Sequence, residues 1–456
     1  MTSMKKIFST LVILVGAIVL AGCAGEEKDL FDKSAAERLN ETGKIYTARL
    51  QSSEAGWVME YYPTNTDEEY RGRGYVILAD FDKDESVTLA MNNVMSDDVY
   101  MEGRSLWEII ADNGPVLTFN TYNEVLHCFS NPEYYESGKG FEGDYEFVMI
   151  DVPEDGQFIM LKGKKRGTYV RLTRLPAGTN FEEYLADIKA FHNGIFPANA
   201  VNENVLQVGE NKYSINNANS GMLGMYPYDG DAITETTTHP FLITKRDGKY
   251  YLRFRSAIEA DDETSEQEFV YDEANDRFVG TENEQFSIVG YEPGRFFGEN
   301  IIGGGSWNLP KAAEMSDKFK AYIDELDARF ASTKDARNRP YTFVGINFGK
   351  DARSIDGVRD TVYCCNIVYK TPGSSRNTSA CYVLDMKNSN ESVTYQYLRP
   401  RDTSATNIQN SFDTIKELMT LFSREFIVSA YDSKFNLARV KLTAADDPDI
   451  WFVVNV

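Results

Sequence analysis

The apolar residues of the chain follow two periodicities, one typical of helices and one typical of strands. Helical spacing, with apolar side chains every three or four positions, occurs over residues 32–50, 181–191 and 315–330. Between these segments lie many short runs rich in aromatic and β-branched residues, each bounded by Asn, Asp, Gly or Pro. The pattern predicts a mainly β protein of the α+β class, with antiparallel meander modules and accessory helices.

The succession of strand-like runs predicts how the chain divides. About eight runs follow one another over residues 57–172, which favours a closed or nearly closed meander, and we predict a lipocalin-like barrel for the first half. Three consecutive glycines at 303–305 are typical of a flexible junction. We therefore expect a signal peptide at 1–22, an N-terminal β-module flanked by helices at 23–195, a middle strand-rich region at 196–305 and a C-terminal β-module at 306–456.

Two pairs of similar stretches indicate an internal duplication. Residues 119–130 and 412–423 share Phe, Thr, Glu, Phe and Ser at the same spacing, and each stretch is followed by three strand-like runs. Upstream, residues 85–88 match residues 391–394, since both read Glu-Ser-Val-Thr. The C-terminal module is therefore predicted to resemble the first, with chance similarity of two amphipathic turns as the alternative.

The first residues carry the pattern of a bacterial lipoprotein signal. Lys5 and Lys6 precede an apolar run at 7–20, which is shorter than the roughly 17–25 residues that a membrane-spanning helix needs. The run ends in Leu-Ala-Gly before Cys23, a motif that resembles the bacterial lipobox. We expect cleavage before Cys23 and lipidation of Cys23, so that several acyl chains anchor the protein in a membrane. The acidic tether at 24–29 resembles the export signal of some Bacteroidetes lipoproteins, which predicts a lipid-anchored protein exposed on the outer membrane.

The net charge of the chain limits the classes of molecule that it is expected to bind. The chain has 47 Lys and Arg residues against 70 Asp and Glu residues, a formal net charge of −23. Such a surface repels phosphate backbones and anionic headgroups, which argues against nucleic acid and leaves the lipid on Cys23 as the membrane contact. The four cysteines besides Cys23 are too few for a disulfide framework in a chain of 456 residues, so we expect the core to supply the stability. At most one of the neighbours Cys364 and Cys365 could pair with Cys381, and buried thiols are the alternative.

Familiar enzyme signatures are absent from the sequence. It contains no H-E-x-x-H, G-x-S-x-G, G-x-x-x-x-G-K-[ST] or C-x-x-C motif, and its three histidines lie far apart. Asp80, Asp82 and Asp84 begin like a calcium loop, but Glu85 stands where an EF-hand needs glycine, which favours a solvated hairpin turn. We predict no metal site and no cofactor. Paired carboxylates acting on a glycan are the catalytic arrangement that stays open.

Two groups of residues are candidates for ligand binding. The basic cluster at 162–167 suits an anionic sugar or an acidic protein, although a hairpin turn that keeps a strand edge soluble explains it as well. Most of the 27 Phe, 27 Tyr and 4 Trp residues are expected in the core. Tyr134 and Tyr135, in the loop 131–143, and Trp307, after the glycines, lie outside the predicted strands. We predict that these three rings stack on sugar faces or peptide side chains.

Three strings of residues resemble a family of Bacteroidetes lipoproteins, the domain of unknown function 4302. They read GWVMEYYP at 56–63, GPVLTFNTYN at 114–123 and LKGKKR at 161–166. The resemblance covers most of the mature chain and implies a lipoprotein encoded near outer-membrane nutrient importers of the starch-utilisation type. It implies an importer as partner and brings no established catalytic residues.

The sequence therefore favours an outer-membrane surface lipoprotein that binds a glycan or a peptide for a nutrient-import system. One alternative is a surface hydrolase that acts on glycans through paired carboxylates, which would need a cleft with two nearby acids. The other is an adhesin or structural surface protein, which would need no small-molecule pocket. Whether the interior of each β-module is filled or hollow decides where a ligand could bind.

Overall fold

The computed structural model describes residues 33–134, 138–228, 230–259, 264–355 and 358–456. Within these ranges the strands form three antiparallel sheets that follow one another along the chain, with helices between them. The prediction of a mainly β protein with meander modules and accessory helices is confirmed, and all three sheets are barrel-like. None of the helices in the described ranges is long and apolar enough to cross a membrane.

The first sheet has nine strands and one open seam. Its strands are β1 (Trp57–Tyr61), β2 (Tyr75–Phe81), β3 (Ser86–Met91), β4 (Met101–Leu106), β5 (Glu108–Asp112), β6 (Gly114–Thr118), β7 (Glu146–Asp151), β8 (Phe158–Gly163) and β9 (Tyr169–Arg174). Its helices are α1 (Ala35–Leu50), α2 (Glu69–Gly72), α3 (Glu124–His127) and α4 (Phe181–Ile195). The spatial order is β4-β3-β2-β1-β9-β8-β7-β6-β5, so the seam lies between β4 and β5, which are joined at the buried Trp107.

Strand β1 is buried on both faces, which explains why its apolar residues do not alternate with polar ones. Trp57 and Met59 belong to the core inside the sheet, whereas Val58 belongs to a second cluster with Leu185 of α4. The indole nitrogen of Trp57 also donates a hydrogen bond to the carbonyl of Leu50 at 2.8 Å. The sheet is thereby fixed to α1 on one side and covered by α4 on the other.

The middle sheet is a closed eight-stranded barrel. Its strands are β10 (Asn204–Val208), β11 (Asn211–Asn216), β12 (Met222–Pro227), β13 (Thr237–Arg246), β14 (Lys249–Glu259), β15 (Ser265–Asp272), β16 (Arg277–Gly280) and β17 (Phe286–Val289). Pairing of β10 with β17 closes the barrel. Its interior is filled by phenylalanines that are at most 1% exposed, namely Phe241, Phe254, Phe269, Phe278 and Phe286. A barrel of eight strands is just wide enough for side chains to fill it, and this one is filled.

The third sheet is also a closed eight-stranded barrel. Its strands are β18 (Trp307–Pro310), β19 (Thr342–Ile355), β20 (Val358–Lys370), β21 (Thr378–Asn388), β22 (Ser392–Pro400), β23 (Glu425–Ala430), β24 (Arg439–Ala444) and β25 (Trp451–Asn455). Four helices accompany it, namely α5 (Pro293–Gly303), α6 (Asp317–Ser332), α7 (Thr403–Ser411) and α8 (Thr414–Phe422). Phe330 of α6 stacks on Phe412 with a centroid distance of 4.0 Å. Apolar side chains fill the interior of this barrel as well, so a ligand would have to bind outside the barrel interiors.

Buried charges join the first sheet to the middle barrel. Arg171 and Arg246 both contact the carboxylate of Glu268, and Arg253 lies 3.5 Å from Glu268 and 3.3 Å from Glu60. Burial opposes the ionisation of Glu268, but the three arginines outweigh it and lower its pKa. Burial raises the pKa of Glu60, and the charge of Arg253 offsets this only in part. The two carboxylates of one network therefore have opposite effects on stability.

A loop of the third barrel completes the core of the middle barrel. Phe435, between β23 and β24, is fully buried and lies 5.7 Å from Phe196 and 5.9 Å from Phe278 between ring centroids. The backbone around it is held by Asn202, whose side-chain oxygen accepts the N–H of Leu437 at 2.7 Å. The middle barrel thus borrows one core side chain from its neighbour.

The predicted duplication matches the structure in one of its two parts. Helix α3 in the first sheet and α8 in the third both precede the last three strands of their sheet, and in each sheet the last strand pairs with the first. The second pair of stretches is not equivalent, because Ser86 begins the third strand of its sheet whereas Ser392 begins the fifth. A common origin of the two modules stays a prediction.

Candidate functional site: an aromatic cleft on the first sheet

A cleft of about 910 Å³ lies where three connections of the first sheet meet. Its walls are the segment that follows β6, the loop that leads into β7, and the turn between β8 and β9. The paired strands fix the ends of these connections, while the side chains between them stay open to solvent. We call this site the aromatic cleft and define it by Tyr122, His127, Tyr145, Lys165 and Arg166.

Three rings form a stack on one wall of the cleft. His127 lies between Tyr122 and Tyr145, with centroid distances of 5.3 and 4.9 Å, and its plane is within 27° of the Tyr145 ring. The two tyrosines are 63% and 42% exposed, so they present apolar faces to solvent that a core would normally cover. Burial lowers the pKa of His127, so the imidazole between them is neutral at pH 7.

Asn123 holds the stack in position. As the N-cap of α3, its side-chain oxygen accepts the N–H of Val125 at 3.0 Å. Its amide group donates to the carbonyl of Gly103 and to the hydroxyl of Ser105, both on β4, at 3.0 and 3.1 Å. Its backbone N–H donates to Nδ1 of His127 at 3.1 Å. One buried residue therefore caps the helix, ties it to the strand at the seam and orients the imidazole.

Asp144 shapes the basic turn on the opposite wall. Its buried carboxylate accepts the backbone N–H groups of Lys165 and Arg166 at 3.2 and 2.7 Å. Gly163 makes room for this carboxylate, because a Cβ at that position would lie 2.2 Å from Asp144 Oδ2. The predicted hairpin turn is confirmed, but β8 and β9 both lie inside the sheet, so protection of an edge strand is not its purpose.

Glu142 connects the rim of the cleft to the body of the sheet. Its carboxylate pairs with Arg166 at 2.7 Å and also with Arg71, whose side chain is buried. Glu142 has a φ of 58°, a left-handed conformation that residues other than glycine rarely adopt. The two ion pairs hold a strained backbone at the rim, as is common in binding sites.

Opposite charges balance within the described lining of the cleft. Its cationic side chains are Lys139, Lys165 and Arg166, and its anionic side chains are Glu142, Asp144 and Glu146. The amides of Asn120 and Asn131 add further donors and acceptors. A balanced set of polar groups beside exposed rings favours an uncharged ligand rich in hydroxyl or amide groups over the anionic sugar considered for the basic cluster.

Residues 27–273 match the family described as Domain of unknown function (DUF4302), and this match spans more than half of the chain. The chain belongs to the DUF4302 family. The matched region covers the first sheet, α4 and the middle barrel as far as β15, and it ends before the third barrel. The aromatic cleft therefore lies within the DUF4302 region.

Solved structures show only weak likenesses to this DUF4302 protein. A double mutant of Transferrin Binding Protein B (TbpB) from Haemophilus parasuis Hp5 is 8% identical, with 88% of this chain and 74% of that chain covered and a TM-score of 0.14. The DNA polymerase III subunit beta from Pseudomonas aeruginosa is 11% identical, with 92% of this chain and 97% of that chain covered and a TM-score of 0.12. Scores this low carry no argument about fold or function. No curated protein matches the chain in sequence.

The three aromatic residues predicted to bind a ligand differ in their positions in the structure. Tyr134 is 44% exposed and lies in the loop that leads into the cleft, but it is not one of the residues that line the cleft. Trp307 is fully buried against Phe297 at 5.0 Å between centroids, because the chain enters β18 directly after the glycines. The prediction that Trp307 stacks on a ligand is therefore wrong. Tyr135, like Cys23, lies outside the described residues.

The sequence did not single out the three rings of the stack. Tyr122 and His127 fall within the stretch 119–130, which has the pattern of an amphipathic turn, where both would be expected to serve helix packing. Tyr145 is distant in sequence, and only the pairing of β6 with β7 brings it to them. The usable signal was the density of polar and aromatic residues in the loops 119–123 and 131–146, which the prediction of Tyr134 captured in part.

The remaining candidates have structural roles. Asp82 and Asp84 form the turn between β2 and β3 and pair with Arg104 at 3.0 and 3.2 Å, as expected for a solvated hairpin. The cysteines of the described ranges are all buried thiols, at positions Cys128, Cys364, Cys365 and Cys381.

Proposed function

We propose that this DUF4302 protein is a surface lipoprotein that binds a neutral glycan in the aromatic cleft and delivers it to an outer-membrane importer. The observation that carries the proposal is the exposed stack of Tyr122, His127 and Tyr145 over a cleft of about 910 Å³. Pyranose rings have apolar faces that pack on aromatic rings and hydroxyl groups that need donors and acceptors. The cleft offers both, and its size suits a ligand of a few sugar rings.

The filled barrels support a groove rather than a barrel mouth as the binding site. In a lipocalin-type carrier the ligand occupies the barrel interior, whereas here side chains occupy it in the middle and third barrels. The interior of the first sheet is likewise packed, with Trp57, Phe119, Phe129 and Phe147 all at most 1% exposed. A ligand bound in the aromatic cleft would contact the outside of the packed sheet and could be passed on without unfolding it.

A glycan array with the full chain, purified from membranes in detergent, tests the proposal, followed by calorimetry on the glycans that bind. Tyr122→Ala and Tyr145→Ala should each weaken binding about tenfold or more, equivalent to about 1.4 kcal/mol. Tyr169→Ala is the matched control, because Tyr169 is 57% exposed but lies outside the cleft. Binding of peptides with the same dependence on the tyrosines would replace the glycan by a peptide. Binding of matrix proteins that ignores the tyrosines would favour an adhesin.

The proposed location rests on Cys23 and has its own test. Cys23→Ser should abolish incorporation of labelled palmitate and release the protein from the membrane fraction. External protease should digest the wild-type protein on intact cells if it faces outward. Co-purification of an importer with the wild-type protein would support the nutrient-uptake role, and its consistent absence after crosslinking would contradict that role.

A second candidate function is hydrolysis of glycans in a different cleft. About 630 Å³ in volume, this cleft is lined by Asp80, Glu102 and Glu182 among other residues. Burial, followed by the charge of Asp82, raises the pKa of Asp80, as a general acid requires. Release of reducing ends from a glycan by the full chain, lost in Asp80→Asn, would establish it. Binding without any product would leave the binding role alone.

A further inference from the structure

A second cleft lies at the junction of the first sheet and the middle barrel. Its volume is about 410 Å³, and its walls come from the start of β2, the turn after β3, α4 and β13. We call it the junction cleft and define it by Arg73, Asn93, Lys189, His192 and Phe241. It shares no lining residue with the aromatic cleft, so a ligand bound here would be held by different chemistry.

Three polar side chains around the junction cleft have buried atoms that lack a hydrogen-bond partner among the described residues. These atoms are Nε of Arg73, Nδ2 of Asn93 and Nε2 of His192. A buried polar atom without a partner costs about 1–3 kcal/mol, and native proteins contain few of them. Three of the fifteen such atoms in the described residues lie around this one cleft, and a bound molecule would satisfy them if the side chains turned toward it.

Arg73 differs from the arginine two positions before it. Arg71 pairs with Glu68 at 2.8 Å and also with Glu142. In contrast, no carboxylate of the described residues lies within ion-pair distance of Arg73, whose guanidinium carbon lies 5.3 Å from the ring centre of Tyr75. Since the chain has 70 acidic residues against 47 basic ones, carboxylates are numerous enough to pair with an arginine that has a structural role. An arginine left without one at a cleft is typical of an anion site.

The other groups limit the charge of the ligand. Lys189 at the edge of the cleft is neutralised by Asp98, whose carboxylate lies 2.9 Å away. Burial and the charge of Arg73 lower the pKa of His192 to about 4, so the imidazole is neutral at pH 7. Among the described lining residues, Arg73 therefore contributes the single uncompensated positive charge, which matches a monoanion better than a phosphate ester of about −1.5 to −2.

We propose that the junction cleft binds a small hydroxylated carboxylate of the sugar-acid class. The guanidinium of Arg73 would take the carboxylate in a two-point contact, and the amide of Asn93 would donate to a further oxygen. Nε2 of His192 would exchange a hydrogen bond with a hydroxyl group, and the buried ring of Phe241, which stacks on the imidazole at 5.7 Å between centroids, holds the imidazole in place. This binding role is independent of the aromatic cleft and would give the protein two ligand sites.

Binding at this place should also tighten the junction, because the walls of the cleft belong to two modules. Tyr184 of α4 already crosses the junction, since its hydroxyl accepts the backbone N–H of Lys245 on β13 at 2.8 Å. A ligand that bridges Arg73 before β2 and His192 on α4 adds to this contact. It should raise the melting temperature in proportion to the logarithm of its concentration above Kd.

Glucuronate is the probe for the experiment, with glucose and inorganic phosphate as comparisons, each titrated into the full chain by calorimetry and thermal unfolding. Glucuronate should bind and raise the melting temperature, whereas glucose should do neither in the Tyr122→Ala variant, whose aromatic cleft is impaired. Arg73→Met should weaken glucuronate binding at least tenfold, and Arg73→Lys should restore part of it. Tyr122→Ala should leave glucuronate binding unchanged, which separates this proposal from the aromatic cleft.

Three results would overturn the proposal. They are no glucuronate binding at millimolar concentration, glucuronate binding that Arg73→Met leaves intact, and tighter binding of phosphate than of glucuronate. If Arg73→Met does not fold, Asn93→Ala takes its place, with the same tenfold criterion. Hydrogen exchange of the wild-type protein gives an independent readout, since glucuronate should slow exchange in α4 and leave the third barrel unchanged.

Discussion

The borrowed side chain of Phe435 allows a sharp test of how the modules depend on one another. Phe435→Ala removes a ring that is fully buried between Phe196 and Phe278 and leaves a cavity in the middle barrel. Replacing a buried Phe by Ala costs about 3–5 kcal/mol, of which each lost aromatic pair accounts for about 0.5–1.5 kcal/mol. Because every 1.4 kcal/mol is tenfold, local opening of the middle barrel should become roughly a hundred- to several-thousand-fold more frequent.

Hydrogen exchange measured by mass spectrometry is the suitable assay, because all four tryptophans lie outside the middle barrel and their fluorescence would not report on it. Exchange should accelerate in β13 to β16 and in the loop around residue 435, and stay unchanged in α1 and β1. Lys434→Ala is the matched control. Its side chain is exposed and its backbone contacts persist, so the change should stay within about 0.5 kcal/mol.

Two outcomes would refute the reasoning. Unchanged exchange in β13 to β16 would show that the ring adds nothing to the middle barrel. Equal acceleration in all three sheets would show that the chain opens as one unit, so that the effect could not be assigned to the contact between two modules.

Other substitutions test the site and the junction charges. Asn123→Ala should lower the free energy of unfolding by about 1–2 kcal/mol through the lost helix cap, and weaken ligand binding in the aromatic cleft, whereas Asn120→Ala should affect binding alone. Glu268→Gln should cost about 3–5 kcal/mol by urea denaturation at pH 7, because it leaves three arginines without their shared carboxylate. Since the folded pKa of Glu268 is lowered, this loss should be full above the unfolded pKa of about 4.3 and shrink as the pH falls through the folded pKa. Glu60→Gln should leave the free energy of unfolding unchanged or raise it, because the folded pKa of Glu60 is raised. The gain in stability should grow as the pH rises from the unfolded pKa to the raised folded pKa. A destabilisation equal to that of Glu268→Gln would contradict this assignment.

Much of the fold could be predicted from local pattern. Helix α4 begins at Phe181 as predicted, because Asn180 caps it and the apolar stripe recurs at helical spacing. The strands could also be predicted from local pattern, because a turn rich in Gly, Asp and Asn precedes and follows each strand. The closure of the second and third sheets was beyond local pattern, because it depends on pairing between strands far apart in sequence, such as β10 with β17.

The candidate sites depended even more on long-range contacts. Trp307 and Tyr122 look alike in sequence, since each follows a short polar stretch, yet one fills a barrel and the other faces solvent. The difference is that Trp307 begins β18, whose side chains alternate between buried and exposed, whereas Tyr122 lies in the connection between β6 and α3. Arg73 is likewise a candidate only because no carboxylate of the described residues lies within ion-pair distance of it, which the count of 70 acidic residues in the sequence could not show.

The sequence by itself determined the predicted lipid anchor at Cys23, the acidic character of the chain, the mainly antiparallel β architecture and the DUF4302 membership, because each follows from neighbouring residues or from their sum. Tertiary structure alone decided that the barrels are filled, that Phe435 belongs to the core of another module, and that the aromatic cleft and the junction cleft form from residues far apart in sequence. The physical reason is that burial and strand pairing depend on residues that are distant in sequence and close in space. The pattern along the chain shows each residue, but it does not show which distant residue will contact it.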